Sequence, residues 1–249
     1  PNQDVTLEFL DAAGALIKAF SSKADSGGAA VGGRGGRGAG EAAADDEGGP
    51  RRTPPVARAP NRAGLNSFTW NLRYPDAVTF DGMILWSGET RGPIAPQGTY
   101  SVRLRIGGGA PQAQSFRLRN DPRSTATAAD QLAQFNFLLQ LRNRLTEANE
   151  AVVSMRHVKG EVDDRVKRAP AAGASELAGE GTSLKTNVTG VEAEVYQIKN
   201  QSGQDPLNFP IKLNNKLAAL MGSVASAPGR PTAQATAVFG ELNAKLERQ

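Results

Sequence analysis

A long apolar stripe in the second half of the sequence constrains the fold more than any other feature. From residue 138 to residue 166, apolar residues recur at steps of three and four, the spacing of one face of an α-helix. The stripe consists of Leu138, Leu141, Leu145, Ala148, Val152, Met155, Val158, Val162 and Val166. A helix of this length needs a partner along it, because its apolar face would otherwise meet water.

A second stripe supplies that partner. It follows the breaker-rich turn at 170–174 and consists of Leu177, Leu184, Val188, Val191, Val195 and Ile198. The two stripes predict an antiparallel two-helix hairpin, whose first helix Thr127 caps with Asp130 as its capping-box partner. Helices are expected at 127–168, 175–200, 211–225 and 231–248. Residues 123–249 are therefore predicted to form an antiparallel helical bundle dominated by this hairpin.

Residues 1–122 have a different periodicity, the alternation of β-strands. The segment 5–20 predicts a strand, a tight turn at Asp11–Gly14 and a second strand. Further strands are expected at 65–72, 83–86, 100–106 and 114–118, separated by Gly- and Pro-rich turns. Short strands without intervening helices favour a β-sandwich. The predicted fold class is thus β + α, an N-terminal immunoglobulin-like β-sandwich followed by the helical bundle.

Residues 21–63 interrupt the sandwich with a sequence of Gly, Ala, Arg and Pro. Such a composition buries too little apolar surface to offset the entropy of ordering, which predicts a disordered insertion. Its Arg-Gly-Gly pattern could alternatively indicate RNA binding. The segment lacks the aromatic residues that stack on bases, however, and it carries acidic residues between 41 and 47. We therefore expect a linker and no nucleic-acid partner.

Composition excludes several kinds of chemistry. The 249 residues include no cysteine and one histidine, and the net charge is +4. A thiolate site is impossible, and His157 alone cannot build a histidine-based zinc site. His157 stands in the long helix, where a solvated polar position is the simpler interpretation than a catalytic base. The glycine runs match no nucleotide-binding fingerprint, so no cofactor is expected. No apolar run is long enough to span a membrane.

Acidic and aromatic residues cluster in one part of the sandwich region. Two carboxylates suffice for glycoside hydrolysis, and aromatic rings can contact sugar rings. The weak candidates for sugar contact are Trp70, Tyr74, Asp76, Asp81 and Trp86. The alternative interpretation is a sandwich core with an adjoining loop. No catalytic or metal-binding residue is predicted.

Two sets of motifs resemble known proteins. The segments 5–14, 64–71 and 96–104 resemble the immunoglobulin-like domain of the flagellar hook-capping type, in which they form the first hairpin, a central strand with its Trp, and a closing strand. The segments 84–88, 91–96, 120–123 and 204–217 resemble the C-terminal end of large secreted bacterial proteins. Those proteins carry a sortilin-like or BNR-repeat β-propeller and are often labelled glycosyl hydrolases.

The second resemblance implies an extracytoplasmic protein with a β-propeller upstream of Pro1, so that this chain is a fragment or a processed product. It assigns no catalytic residue to the chain. The leading hypothesis is a non-catalytic structural or interaction module that packs on the propeller or mediates self-assembly into an oligomer or filament. The alternatives are an accessory part of a glycoside hydrolase and a carbohydrate-binding module.

Overall fold

The computed structural model describes residues 3–23 and 57–249, and their strands and helices confirm the β + α class. Residues 24–56, the larger part of the predicted insertion at 21–63, lie outside the described residues. The chain divides into two units. The β unit comprises residues up to Leu72 together with Gln97–Asn120, and the helical unit comprises Arg73–Pro96 together with Asp121–Gln249.

The β unit contains one antiparallel sheet of four strands in its described residues, in the order β2-β1-β3-β4. The strands are β1 (Val5–Leu10), β2 (Leu16–Ser21), β3 (Gly98–Ile106) and β4 (Gln112–Leu118). The predicted strands at 5–20, 100–106 and 114–118 are thereby confirmed. A second sheet, which a sandwich requires, is not formed by the described residues.

The turn between β1 and β2 is held by Asp11. Its carboxylate accepts hydrogen bonds from the backbone N–H groups of Ala13 at 2.9 Å and Ala15 at 2.8 Å. Gly14 has a φ of 80°, a left-handed conformation that glycine adopts without steric cost. The short polar side chain and the glycine explain why the sequence pattern identified this hairpin correctly.

One face of the sheet carries a cluster of aromatic rings. Trp70 stacks on Phe9 with 4.5 Å between ring centroids, and Phe68 lies 4.7 Å from Phe20. Tyr100 and Phe116, paired across β3 and β4, complete the cluster. The segment that contains Phe68 and Trp70 therefore covers the sheet as a second layer, although it makes no strand ladder.

The predicted strands at 65–72 and 83–86 are absent. Leu65, expected in a buried face, is fully exposed, and Leu72 has a φ of 59° that no strand permits. The backbone of 83–86 bonds to side chains instead of to another strand: Ile84 N–H donates to the Tyr196 hydroxyl at 3.1 Å. Alternating apolar residues indicated burial correctly there, but not the hydrogen-bond partner of the backbone.

The helical unit contains four α-helices in the described part of the chain. They are α1 (Ala128–Lys167), α2 (Ala174–Val195), α3 (Leu213–Ala225) and α4 (Ala233–Glu247). Thr127 caps α1 in a capping box with Asp130, as predicted. The second helix ends before residue 200 because Tyr196 adopts an extended conformation.

The core of the helical unit follows the predicted stripe of α1. Leu141, Leu145, Ala148 and Val152 are fully buried, and Leu217 of α3 packs in the same cluster. This cluster excludes water along the first half of α1. The second half of α1 contacts α2 instead.

The segment Arg73–Pro96 belongs to this unit, whereas the sequence analysis placed it in the sandwich. Val78 O accepts a hydrogen bond from the Asn149 side-chain amide at 2.7 Å, and the Asn214 side chain donates to Asn149 Oδ1 at 3.1 Å. Asn215 bonds to both backbone groups of Trp86, at 2.7 and 2.8 Å. Buried asparagines on α1 and α3 thus replace strand pairing for this segment.

Candidate functional site

The paired region of α1 and α2 is the most distinctive surface of the helical unit. The two helices run in opposite directions, as two contacts show: Arg156 bonds Glu192, and Asp163, further along α1, bonds Lys185, which comes earlier in α2. Their backbones approach closely at Gly181, where an added Cβ would lie 3.0 Å from Val162 and 3.1 Å from Val166. The absence of a side chain at Gly181 lets the two stripes meet.

One side of this pair is charged and centred on Glu192, which is only 2% exposed. Its carboxylate accepts hydrogen bonds from Arg156 Nε at 2.8 Å and from Lys159 Nζ. The Arg156 guanidinium lies over the rings of Phe80 at 4.7 Å and Tyr196 at 5.4 Å. The cluster therefore joins α1, α2 and the segment 73–96 through charge and cation–π contacts.

The surroundings of Glu192 act on its pKa in opposite directions. Burial raises the pKa, since it penalises the charged form, whereas the hydrogen bonds and positive charges of Lys159 and Arg156 lower it. The net effect places the pKa of Glu192 below its ordinary value. Glu192 is therefore ionised at neutral pH and fixes the relative position of the two helices.

The other side of the pair is an apolar groove, which we call the α1–α2 groove. It has a volume of about 480 Å³ and opens between α1, α2 and the end of α4. Its apolar lining consists of Ala151, Met155, Val188, Val191, Val195 and Leu246. Since a groove of apolar side chains is unfavourable in water, such a surface is typical of a contact with another molecule.

The rim of the groove is polar. Arg144, Glu147 and Glu247 lie along it, and the Arg144 guanidinium bonds both carboxylates and the Asn243 side chain. Both rim carboxylates remain more than half exposed. The combination of an apolar floor with a polar rim is the usual anatomy of a protein–protein contact.

The candidate sugar-contacting residues do not lie together in one unit. Trp70 is buried in the aromatic cluster of the β unit, whereas the other four belong to the segment Arg73–Pro96 of the helical unit. Tyr74 packs edge-on against Phe135 at 4.7 Å, and Asp76 accepts a hydrogen bond from Gly92 N–H at 2.8 Å. These two contacts have local structural roles.

Asp81 and Trp86 are the most accessible members of the set. Asp81 is exposed in a turn, and the Trp86 side chain is 38% exposed on a backbone that Asn215 holds at both polar groups. Sugar contact remains a prediction for these two residues. His157 is an exposed side chain 3.7 Å from Glu161, in the solvated position expected of it.

Within residues 3–23 and 57–249, no group of three or more acidic or histidine side chains is arranged to hold a metal ion. No helix of the described chain has the length and apolar character needed to cross a membrane. Comparisons with protein-family models, with curated proteins and with solved structures found no match to this chain.

Sequence reasoning identified part of the groove and missed the rest. Met155, Val188 and Val191 were all members of the predicted stripes, but they were expected to face the partner helix. The contributions of Glu192 and Asn215 were missed. The opposite charges of Arg156, Lys159 and Glu192 were an available signal. Pairing them requires knowing which residues of α1 lie opposite which residues of α2, and the apolar stripes alone do not determine this.

Proposed function

We propose that this chain is a non-catalytic interaction module of an extracytoplasmic protein and that the α1–α2 groove is where it holds a partner. The observation that carries this proposal is the groove itself. It has an apolar lining and a volume of about 480 Å³, and the opposite side of the helix pair is closed by ion pairs. The ion pairs fix the walls, so the groove is ready to bind without rearrangement.

The β unit has a separate part in the proposal. We assign it an immunoglobulin-like fold and a position next to an upstream β-propeller. Its four-stranded sheet and the aromatic layer that Phe68 and Trp70 place over it support this assignment.

Site-specific photo-crosslinking in the source cells tests the proposal. A photoreactive side chain at Val191, on the groove wall, should give one reproducible adduct with a partner. The matched control is Val153 of α1, which is 44% exposed and does not line the groove. Equal and diffuse labelling from both positions would contradict an interaction role for the groove.

A second candidate function is sugar binding by the segment 73–96. It is favoured by the 38% exposure of Trp86 on a backbone that Asn215 holds, since stacking on a sugar requires an accessible and rigid aromatic residue. A glycan array probed with the native chain and with Trp86→Ala tests it. Sugar binding should disappear in the variant, and silence of the native chain on the array would remove this candidate.

A further inference from the structure

The apolar surface of the α1–α2 groove continues beyond the side chains that form its floor. On α1, Val158 follows Ala151 by seven residues and is 39% exposed. On α2, Leu184 precedes Val191 by seven residues and is 46% exposed. Residues seven apart lie on nearly the same side of a helix. The groove therefore extends as an apolar track along both helices.

A helix is the element that fits this track. The chain itself covers a neighbouring stretch of α1 with α4, where Phe239 packs against Phe137 at 5.4 Å between ring centroids. Leu246, near the end of α4, forms one wall of the groove. A helix bound in the groove would thus cover the stretch of α1 that follows the end of α4. It would bury an apolar stripe there in the same way as α4 does.

The charges that flank the track are mostly negative. Glu147 and Glu247 lie on the rim. Glu161 follows Ser154, a polar residue that also lines the groove, by seven positions. Glu180 precedes Leu184 by four residues, and Glu194 follows Val191 by three. All five are exposed. The cations on the same side are Arg144, already bonded to Glu147 and Glu247, Lys212, bonded to Glu194 at 3.3 Å, and Arg165. The flanks carry an acidic excess although the chain is basic overall.

This excess distinguishes between possible occupants. A second copy of the chain, bound about a two-fold axis, would bring two acidic flanks together, and like charges across an interface oppose binding. A helix with Lys and Arg on either side of its apolar stripe would instead place each charge near a carboxylate. The charge pattern therefore favours a basic helix over self-association.

We propose that the α1–α2 groove binds a basic amphipathic helix of a partner protein, with the apolar face of that helix on Met155, Val158, Leu184 and Val191 and its cations beside Glu161 and Glu180. This proposal rests on the proposed function and specifies the chemistry of the partner. It accounts for the apolar floor and the acidic flanks together.

Two synthetic helical peptides test the charge preference on the full chain. Each is roughly 18 residues long, about 27 Å as a helix, and carries the same Leu stripe, with Lys at the flanking positions of one and Glu at those of the other. Fluorescence anisotropy should show at least about tenfold tighter binding of the Lys peptide at low salt, with a smaller difference at high salt because ions screen exposed charges.

Variants of the groove locate the binding. Leu184→Ser combined with Val191→Ser should weaken the Lys peptide at least about tenfold, whereas Val153→Ser, off the groove, should leave its affinity unchanged. Glu161→Gln combined with Glu180→Gln should weaken only the Lys peptide. The control for charge is Asp164→Asn with Glu241→Gln, and circular dichroism verifies that every variant retains its helices.

The outcomes separate this inference from the proposed function. If both peptides bind equally and Leu184→Ser with Val191→Ser weakens both, the basic-helix proposal is wrong and the interaction role stands. A dimer in sedimentation velocity that the same double variant dissolves would also overturn the proposal, since the occupant would be a second copy. Failure of both peptides to bind, with no specific adduct at Val191, would refute both.

Discussion

Glu192 is the buried carboxylate that joins α1 and α2. Its carboxylate is almost completely buried between Arg156 and Lys159, and both cations belong to the neighbouring helix. Removing one member of a buried pair is costly because the remaining charges lose their partner. The cost is moderated here, since the Arg156 side chain is 40% exposed and can reach water.

We predict that Glu192→Gln lowers the free energy of unfolding by about 1–3 kcal/mol at pH 7. Because the pKa of Glu192 is lower in the folded chain, its contribution is complete above the unfolded pKa of about 4.3 and is lost as the pH falls through the folded pKa. Urea denaturation between pH 3 and pH 7 should show a smaller loss of stability on acidification in the variant.

The control for this prediction is Glu161→Gln, because Glu161 is an exposed carboxylate on the neighbouring helix. Its stability should change by less than about 0.5 kcal/mol. An equal loss in both variants would mean that the charge of Glu192 contributes nothing specific to the fold.

Asn215 is the second residue with a specific local role. Its side chain accepts a hydrogen bond from Trp86 N–H and donates one to Trp86 O. We predict that Asn215→Ala destabilises the helical unit by about 1–3 kcal/mol and accelerates hydrogen exchange of the Trp86 amide. Asn187→Ala, at an exposed position of α2, is the matched control. Unchanged exchange at Trp86 in Asn215→Ala would show that another group holds this segment.

At the scale of elements, the contact between α1 and α2 depends on a missing side chain. Gly181 is buried at the point where α2 meets Val162 and Val166, while Gly190 of the same helix has open space around its Cα. Both glycines weaken the helix by the same intrinsic propensity. Substitutions at the two glycines therefore distinguish the effect of packing between helices from the effect of helix propensity within the same helix.

We predict opposite effects of the same substitution at these two positions. Gly181→Leu should destabilise the helical unit by about 1–3 kcal/mol, because the added side chain forces α1 and α2 apart. Gly190→Leu should instead stabilise it by about 0.8 kcal/mol through helix propensity. Thermal unfolding followed by circular dichroism measures both. A stabilised Gly181→Leu variant would mean that the close approach of the helices is not required.

At the scale of the whole molecule, the predicted insertion leaves and re-enters the β unit at nearly the same place. Ala59 N–H donates to Ser21 O at 3.2 Å, so the chain on either side of residues 24–56 is joined by a hydrogen bond. A segment whose flanks already meet adds mainly the entropy of closing a longer loop.

We predict that replacing residues 24–56 by a Gly-Ser linker of roughly six residues preserves the sheet and raises its stability by about 1–2 kcal/mol. Denaturation followed by tryptophan fluorescence in a Trp86→Phe background, which leaves Trp70 as the single tryptophan, reports on the β unit. A Gly-Ser segment of the native length should match the native stability. Unfolding of the sheet in the shortened variant alone would show that the linker strains the connection, and unfolding in both would show that residues 24–56 contribute contacts.

The sequence by itself determined the elements whose signal is local. The hairpin at Asp11–Gly14, the strands β3 and β4, the Thr127 cap and all four helices follow from turn chemistry and from periods of two and 3.6. These features depend on residues within a few positions of one another. A single sequence contains that information directly.

Only the tertiary structure decided which surfaces those elements share. It placed Arg73–Pro96 on the helices, buried Trp70, left Trp86 accessible and turned part of the predicted stripe into the α1–α2 groove. Each of these outcomes depends on contacts between residues far apart in the chain. Periodicity shows that a face is apolar, but only the arrangement of neighbouring elements determines whether that face is covered or open to a partner.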